Sequence, residues 1–281
     1  VEVWSNTEMF QLDETLTPKV IAGCPPDAFS EDGQLWGNPI YDWEKMKRDG
    51  YSWWLKRLAA AGEWYDVVRM DHFRGLEAYW SVPAGSATAK AGKWNKGPDM
   101  SFIQAVKKGL PQLEMIAEDL GFLTQEVLDL RDNSGFPGMK VLEFAFDSRE
   151  PSDYLPHTYP VNSVCYSGTH DNNTLVGWYE TAKPAERAFL RQYLGARTTE
   201  TVRRAVLRAG VGSVASLFVA QLQDYLALGE EARINVPGVG DGNWEWRLLP
   251  GQIPGGLAAE IRELNALYSR CAPAKKPEKK V

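Results

Sequence analysis

Three carboxylates in this chain stand where an apolar, β-branched run breaks off. Asp71 follows Val67-Val68-Arg69-Met70, Glu118 follows Glu114-Met115-Ile116-Ala117, and Asp171 follows Ser163 to Ser167 after a Gly-Thr-His turn. Each has a charged or titratable neighbour: Arg69 and His72 beside Asp71, Asp119 beside Glu118, His170 beside Asp171. This inventory suits retaining glycosyl transfer, in which one carboxylate attacks as nucleophile and a carboxylic acid roughly 5–5.5 Å away donates a proton, through an oxocarbenium-like state. A third carboxylate can stabilise that cation. Arg69 lies two residues before Asp71, on the same strand face, where it can pair with Asp71 and keep it ionised. Glu118 has the opposite requirement and must stay protonated, through desolvation or through nearby negative charge such as Asp119. For any one of the three acids taken alone, the plainer alternative is the N-cap of the next helix, and Asp171-Asn172-Asn173-Thr174 resembles a helix entry. Three acids together, each beside such a neighbour, are harder to dismiss. Two of the three histidines, His72 and His170 but not His157, flank candidate aspartates. Metal ligation competes with hydrogen bonding to sugar hydroxyls for these rings; no His-x₃-His spacing supports it, so no metal is expected.

The elements that must carry these acids alternate strand and helix. Trp43–Ala61 reads as one amphipathic helix, followed by a buried strand at Tyr65–Met70. The same grammar recurs at Glu114–Ala117, Gly138–Phe146 and Ser163–Ser167. A fifth run, Val214–Gln221, is ambiguous, lying between helical patterns at Thr201–Ala209 and Leu222–Leu228; the last helix is Ala258–Tyr268. Gly23-Cys24-Pro25-Pro26 and Gly37-Asn38-Pro39 punctuate residues 1–42 as surface loops, and Trp80–Pro98 reads as a long loop able to form a substrate-binding lip. The class is α/β, either a (β/α)₈ TIM barrel or a doubly wound sheet. Neither GxGxxG nor GxxxxGK[ST] occurs, so the nucleotide-binding versions lose support and the barrel, with long loop insertions on its C-terminal face, is favoured. At ~30 residues per strand-helix unit, Asp71 and Glu118 lie one unit plus an insertion apart, and Glu118 and Asp171 nearly two. All three then sit at the C-terminal ends of strands, the face on which barrels build active sites, and are expected to converge on one pocket. Five strands are visible where a closed barrel needs eight. Residues 1–271 therefore read as a catalytic barrel portion holding only the later strands, and 272–281, rich in Pro and Lys, as a disordered tail.

Composition narrows the field. With 37 acidic against 31 basic side chains and a net charge of -6, the chain has no cationic field for a phosphate backbone, and nucleic acid is not an expected partner. No apolar run reaches the ~20 residues a membrane span needs. Cys24, Cys165 and Cys271 are few, odd in number and widely spaced, which fits a reducing compartment better than a disulfide framework or a zinc site. Eleven Trp and eleven Tyr are mostly core packing, but Trp36, Tyr41, Trp94, Trp178 and Trp244 fall in Gly/Pro/Asn-rich segments where a ring can meet a flat sugar face.

Three blocks, Arg69-Met70-Asp71-His72-Phe73-Arg74-Gly75 with Glu77-Ala78-Tyr79-Trp80, Ile116-Ala117-Glu118-Asp119-Leu120-Gly121, and Gly168-Thr169-His170-Asp171-Asn172, resemble the catalytic blocks of the amylomaltase/disproportionating-enzyme family of 4-α-glucanotransferases. Connecting stretches are similar too: Pro25-Pro26-Asp27, Gln34-Leu35-Trp36-Gly37-Asn38-Pro39 and Gly135-Phe136-Pro137-Gly138-Met139-Lys140. The resemblance implies transfer of an α-1,4-glucan segment from a donor chain to the 4-hydroxyl of glucose or a maltooligosaccharide, with retention and no organic cofactor. It implies Asp71 as nucleophile, Glu118 as acid/base and Asp171 as stabiliser. By the same matching, Arg69, His72, Asp119 and His170 contact sugar, and Gln34, Trp36 and Asn38 belong to a substrate-covering loop. Asn173 departs from the Asp common in its block, and the family's chains are considerably longer. A cytoplasmic location is expected, or a plastid in a plant or alga. Two rivals stay open: an α-glucan hydrolase using the same acids, and a truncated glucan-binding module without activity.

Overall fold

The computed structural model describes residues 3, 5–26, 30–121, 123–147 and 152–271. Asp27 and the segment 272–281, read above as a motif residue and a disordered tail, lie outside the described residues. The chain forms two compact units, Val1–Gly138 and Met139–Val281.

In the first unit, β1 (Val20–Cys24) and β2 (Gln34–Pro39) occupy the stretch expected to be surface loop. Two helices follow, α1 (Trp43–Arg48) and α2 (Ser52–Gly62), where the periodicity predicted one. The break has a local cause. Gly50 and Tyr51 take left-handed φ values of 71° and 59°, which end the first helix and turn the Tyr51 ring into the core, where its hydroxyl meets Ser101 Oγ at 2.7 Å. Asp49 then accepts from the Ser52 hydroxyl at 2.8 Å as the second helix starts. Next come β3 (Val67–Met70), β4 (Ala78–Pro83), β5 (Lys93–Lys96), α3 (Asp99–Gly109), β6 (Glu114–Ala117), α4 (Gln125–Ser134) and β7 (Gly138–Val141), whose first residue closes the unit.

Two sheets organise these strands. The antiparallel one has the order β2-β1-β4-β5, so the expected long loop Trp80–Pro98 is in fact mostly a hairpin, in which Trp80 faces Trp94 across the strands. The β1–β2 register shifts between Ile21 and Gly23, where β2 runs from Pro39 to Leu35 with two residues more than β1. Gly23 packs so close to the Gln34 carbonyl that a Cβ there would collide with it, the close approach that reserves a strand position for glycine. The parallel sheet pairs β3 with β6, Met70 standing opposite Ala117, and Ala117 with Gly138 of β7. β3 is shorter and wetter than the buried Tyr65–Met70 strand expected. Trp64 and Tyr65 are exposed ahead of it and Val67 is 43% exposed, because among the described residues β6 is its one sheet neighbour. The core beneath collects Met46, Leu58, Phe73, Phe102, Ile103 and Met115.

The second unit continues through β8 (Ser163–Tyr166), α5 (Leu175–Thr181), α6 (Pro184–Leu194), α7 (Thr199–Val211), β9 (Leu217–Val219), α8 (Leu222–Tyr225) and α9 (Leu257–Leu267). β8 and β9 are parallel, with Val164 opposite Leu217, so the ambiguous fifth run is a short strand. The strand expected over Gly138–Phe146 stops at Val141, and Leu142–Phe144 wind into a 3₁₀ turn. That turn buries Leu142 and Glu143 together, where an alternating strand would have sent one outward. Its apolar neighbours Ala145 and Phe146 join a core with Cys165, Leu175, Leu190 and Val206.

Five parallel strands are thus present among the described residues, in the α/β alternation of a (β/α)₈ barrel, which has eight. Phe102, 1% exposed, touches the rings of Trp43, Tyr51 and Trp54 at 5.4–5.9 Å. Replacing it with alanine is expected to cost about 3–5 kcal/mol of stability, read from the urea midpoint; a loss under about 1 kcal/mol would show that the ring cluster is not the centre of the first core.

Candidate active site

In the first unit the C-terminal ends of β3 and β6 are laced together by main-chain bonds. Glu118 N donates to Met70 O at 2.9 Å and Phe73 N to Glu118 O at 3.0 Å. Between them His72 takes a left-handed conformation, φ 49°, uncommon for a residue with a Cβ. This turns its N–H onto Glu118 Oε2 at 2.7 Å, and Leu120 N–H reaches the other oxygen at 3.1 Å. Among the described residues the Glu118 carboxyl is held by two backbone donors, the stiffest support a chain offers.

Asp71 is the counterpart, with its side chain 76% exposed and one oxygen 3.0 Å from Arg69 Nη2. Burial raises the Glu118 pKa first and the Asp71 charge second, against the two N–H groups and Arg69. The neighbouring negative charge is therefore Asp71's and not, as the adjacency of the two acids suggested, that of Asp119. Asp119 points away from Glu118, is 3% exposed and pairs with Arg131 at 2.8 Å; successive strand-end residues face opposite ways. The structure does not bring it to the others.

Gln34, Trp36 and Asn38 sit on β2 at alternate positions, all exposed, so the covering loop of the sequence reading is the outer strand of the antiparallel sheet. Trp36 Nε1 donates to Gln34 Oε1 at 3.1 Å, and the Trp36 ring meets His72 edge-on at 4.8 Å. Burial, then the Arg74 charge, lowers the His72 pKa to about 4, so the ring is neutral at pH 7 and serves as donor and acceptor together.

In the second unit Asp171 is not a helix cap; that task falls to Thr174, whose side chain accepts from Gly177 N at 3.2 Å. Asn172 Oδ1 closes the preceding turn by accepting from both N and Oγ1 of Thr169 at 2.8 Å. His170 Nε2 lies 3.3 Å from one Asp171 oxygen, and its ring lies 5.1 Å from that of Trp244. The other oxygen accepts from Asn235 Nδ2 at 2.6 Å, while Arg233 Nη2 donates to the Asp171 carbonyl at 2.6 Å and Arg233 Nε to the Asn235 carbonyl at 2.9 Å. Arg233 and Asn235 escaped the sequence reading. They lie in a Gly/Pro-rich loop with no periodic context, and the one signal was an Arg and an Asn two apart, able to share a face. Among the described residues no group of three or more His, Cys, Asp and Glu is placed to hold a metal ion.

By class this is a parallel (β/α) protein with a backbone-held glutamate and an arginine-paired aspartate at strand ends, where such folds build their sites, and a second aspartate on a turn beyond β8. The family model described as 4-alpha-glucanotransferase matches residues 1–252, and the chain belongs to that family. It is 48% identical over 270 residues to a 4-alpha-glucanotransferase of Streptococcus pneumoniae serotype 4, covering 96% of this chain and 54% of that protein. It is 49% identical to the Thermus thermophilus 4-alpha-glucanotransferase, covering 94% and 54%. A solved structure of the Streptococcus agalactiae amylomaltase in complex with acarbose superposes with a TM-score of 0.92 at 36% identity, over 96% of this chain and 55% of that one. The chain thus spans about half the length of the curated relatives it matches.

Because burial and the Asp71 charge are what raise Glu118, Asp71→Asn should lower the Glu118 titration midpoint in a carbon-13 NMR carboxyl titration. An unmoved midpoint would mean the two acids do not sense each other. In the same sample His72 should show no titration between about pH 5.5 and 8, where an unperturbed imidazole (pKa about 6.5) changes charge.

Proposed function

We propose that the chain is the catalytic portion, residues 1–271, of a retaining 4-α-glucanotransferase. It moves α-1,4-glucan segments from maltooligosaccharide or starch- and glycogen-derived donors to glucose or maltooligosaccharide acceptors. The observation that carries this reading is the contrast between Asp71 and Glu118 on adjacent strand ends. Asp71 is exposed and bonded to a guanidinium, a setting open to an incoming anomeric carbon. Glu118, desolvated and beside that carboxylate, is held towards the acid form a proton donor must have. In the first step Asp71 attacks the anomeric carbon while Glu118 protonates the departing glycosidic oxygen, leaving a glycosyl ester on Asp71. In the second, Glu118, now the carboxylate, takes the proton from the acceptor 4-hydroxyl as that oxygen displaces Asp71.

The two N–H groups on Glu118 suit this alternation, since they stabilise the carboxylate formed after the first proton transfer. Asp171 takes the stabilising role, with Asn235 and His170 fixing its two oxygens so that the carboxylate keeps its direction as charge develops. Arg69, neutral His72 and His170, together with Gln34, Trp36 and Asn38, are assigned to the sugar, the indole offering a flat apolar face and the polar groups hydroxyl contacts. Asp119, buried against Arg131, is better suited to holding the β6 end in place than to touching a sugar. Three cysteines, odd in number and widely spaced, support a reducing compartment, the cytoplasm or, in a plant or alga, a plastid. No helix among the described residues is long and apolar enough to cross a membrane.

Maltotriose incubated with the chain should give glucose together with a ladder of longer maltooligosaccharides. Asp71→Asn should abolish the ladder, and Glu118→Gln should slow it by about 10²–10⁴-fold. Glucose released without longer products would replace transfer by hydrolysis. A folded chain that binds acarbose but makes no products would reduce the reading to a glucan-binding module.

A further inference from the structure

Behind the turn that carries Asp171 lies a polar cluster with no part in the roles assigned above. Glu143, turned inward by the 3₁₀ turn after β7, is 8% exposed, and Asp224 is fully buried. Asp224 is well supplied with donors, Ser167 Oγ at 2.6 Å and Leu175 N at 2.8 Å. Glu143 is not: its Oε1 is buried without a hydrogen-bond partner, and so is Oε1 of Gln221. Glu143 Oε1 lies against Gly168: a Cβ added there would stand 2.9 Å from it and 3.1 Å from both Asn172 Cβ and Gln221 Nε2. Gln221 in turn donates to the Asn173 carbonyl at 3.1 Å. The segment bearing His170 and Asp171 is therefore backed by two side chains that touch it at Gly168 and Asn173.

We propose that Glu143 is a positioning residue for Asp171: its carboxyl forms the floor on which the Gly168–Asp171 turn rests and so sets the direction in which Asp171 projects. The inference rests on the glycosyl-transfer reading, in which Asp171 stabilises the transition state. Glu143 performs this task as a neutral acid. A carboxylate there would be a buried charge lacking donors, which is costly. The groups that face it act in opposite senses, Asp224 holding the proton on and Arg233 drawing it off, but Arg233 is already committed to the carbonyls of Asp171 and Asn235. Of the two buried acids, Asp224 has the donors that a carboxylate needs, its pKa lying at about 6; Glu143, without them, keeps the proton. Shape and contact, not charge, are what Glu143 supplies.

Glu143→Ala removes the floor, Glu143→Gln keeps it without a titratable group, and Gly168→Ala in the Glu143→Ala background refills the space from the other side. With maltotriose as substrate, Glu143→Ala should lower kcat by about 10–100-fold, the scale of an ångström-sized misplacement, and leave KM nearly unchanged, because the loss falls on the transition state alone. Glu143→Gln should retain wild-type kcat within about 3-fold, and the double variant should lose less than the two single variants combined. An unchanged kcat in Glu143→Ala, or a Glu143→Gln as impaired as Glu143→Ala, overturns the proposal. If the unsubstituted chain makes no ladder, it is the glycosyl-transfer reading that fails. The floor is then judged by nitrogen-15 NMR from the Asn235 side-chain amide, which bonds the Asp171 carboxylate, its signals expected to be displaced in Glu143→Ala and restored in Glu143→Gln; no displacement in Glu143→Ala removes the floor as well.

Discussion

The hydrogen bond from His72 N–H to the Glu118 carboxyl is the constraint around which the first unit is arranged. A carboxyl whose pKa is raised by burial needs a fixed partner to keep its direction, and a backbone donor is the least mobile partner available. Aiming that donor requires His72 to adopt the left-handed conformation, at a cost on the order of 1 kcal/mol or more, and requires β3 and β6 to run in parallel so that residues 70–73 pass the end of the neighbouring strand. The pairing of Met70 with Ala117 supplies that register. The core of Phe73, Phe102 and Met115 beneath it makes the register hard to slip, since a one-residue shift would turn every buried side chain to the opposite face.

The second unit solves a similar problem by different means. Asp171 lies beyond its strand on a turn, where no sheet ladder is available, so its two oxygens and its carbonyl are held by side chains, the adjacent His170 and, from far along the sequence, Asn235 and Arg233. The Arg233 and Asn235 grips work as a pair because Arg233 also ties its own segment together through the Asn235 carbonyl. The buried acids behind this turn extend the scheme inward, one with its donors satisfied and one pressed on a glycine. Each glycine that matters here is explained by proximity: Gly23 by the carbonyl of Gln34 and Gly168 by the carboxyl of Glu143.

The reach of the sequence was uneven, and the reasons are physical. Parallel strands that end in polar residues declare themselves through β-branched runs, so the ends at Met70 and Ala117 and the acids beyond them were legible. The antiparallel sheet was not. Its strands are punctuated by Gly, Pro and Asn (Gly23, Gly37, Asn38, Pro39, Pro83, Asn95) and show no apolar alternation, so β1, β2, β4 and β5 looked like loops. The single helix expected over Trp43–Ala61 failed because hydrophobic spacing continued in phase across Asp49-Gly50-Tyr51, while the left-handed pair at its centre depended on a core site for the Tyr51 ring.

What the sequence determined by itself was which carboxylates follow the strands, which arginine and histidines accompany them, and the family to which their blocks belong. Covalent adjacency and strand periodicity are enough for that, since Arg69 must share a strand face with Asp71 whatever the rest of the chain does. The tertiary structure alone decided which acid senses which charge, so that Asp71 and not the adjacent Asp119 raises Glu118. It alone brought Arg233 and Asn235 to Asp171 across some sixty residues of chain, and set Glu143 under Gly168. Burial and through-space distance govern pKa values and hydrogen bonds, and neither is a function of separation along the chain.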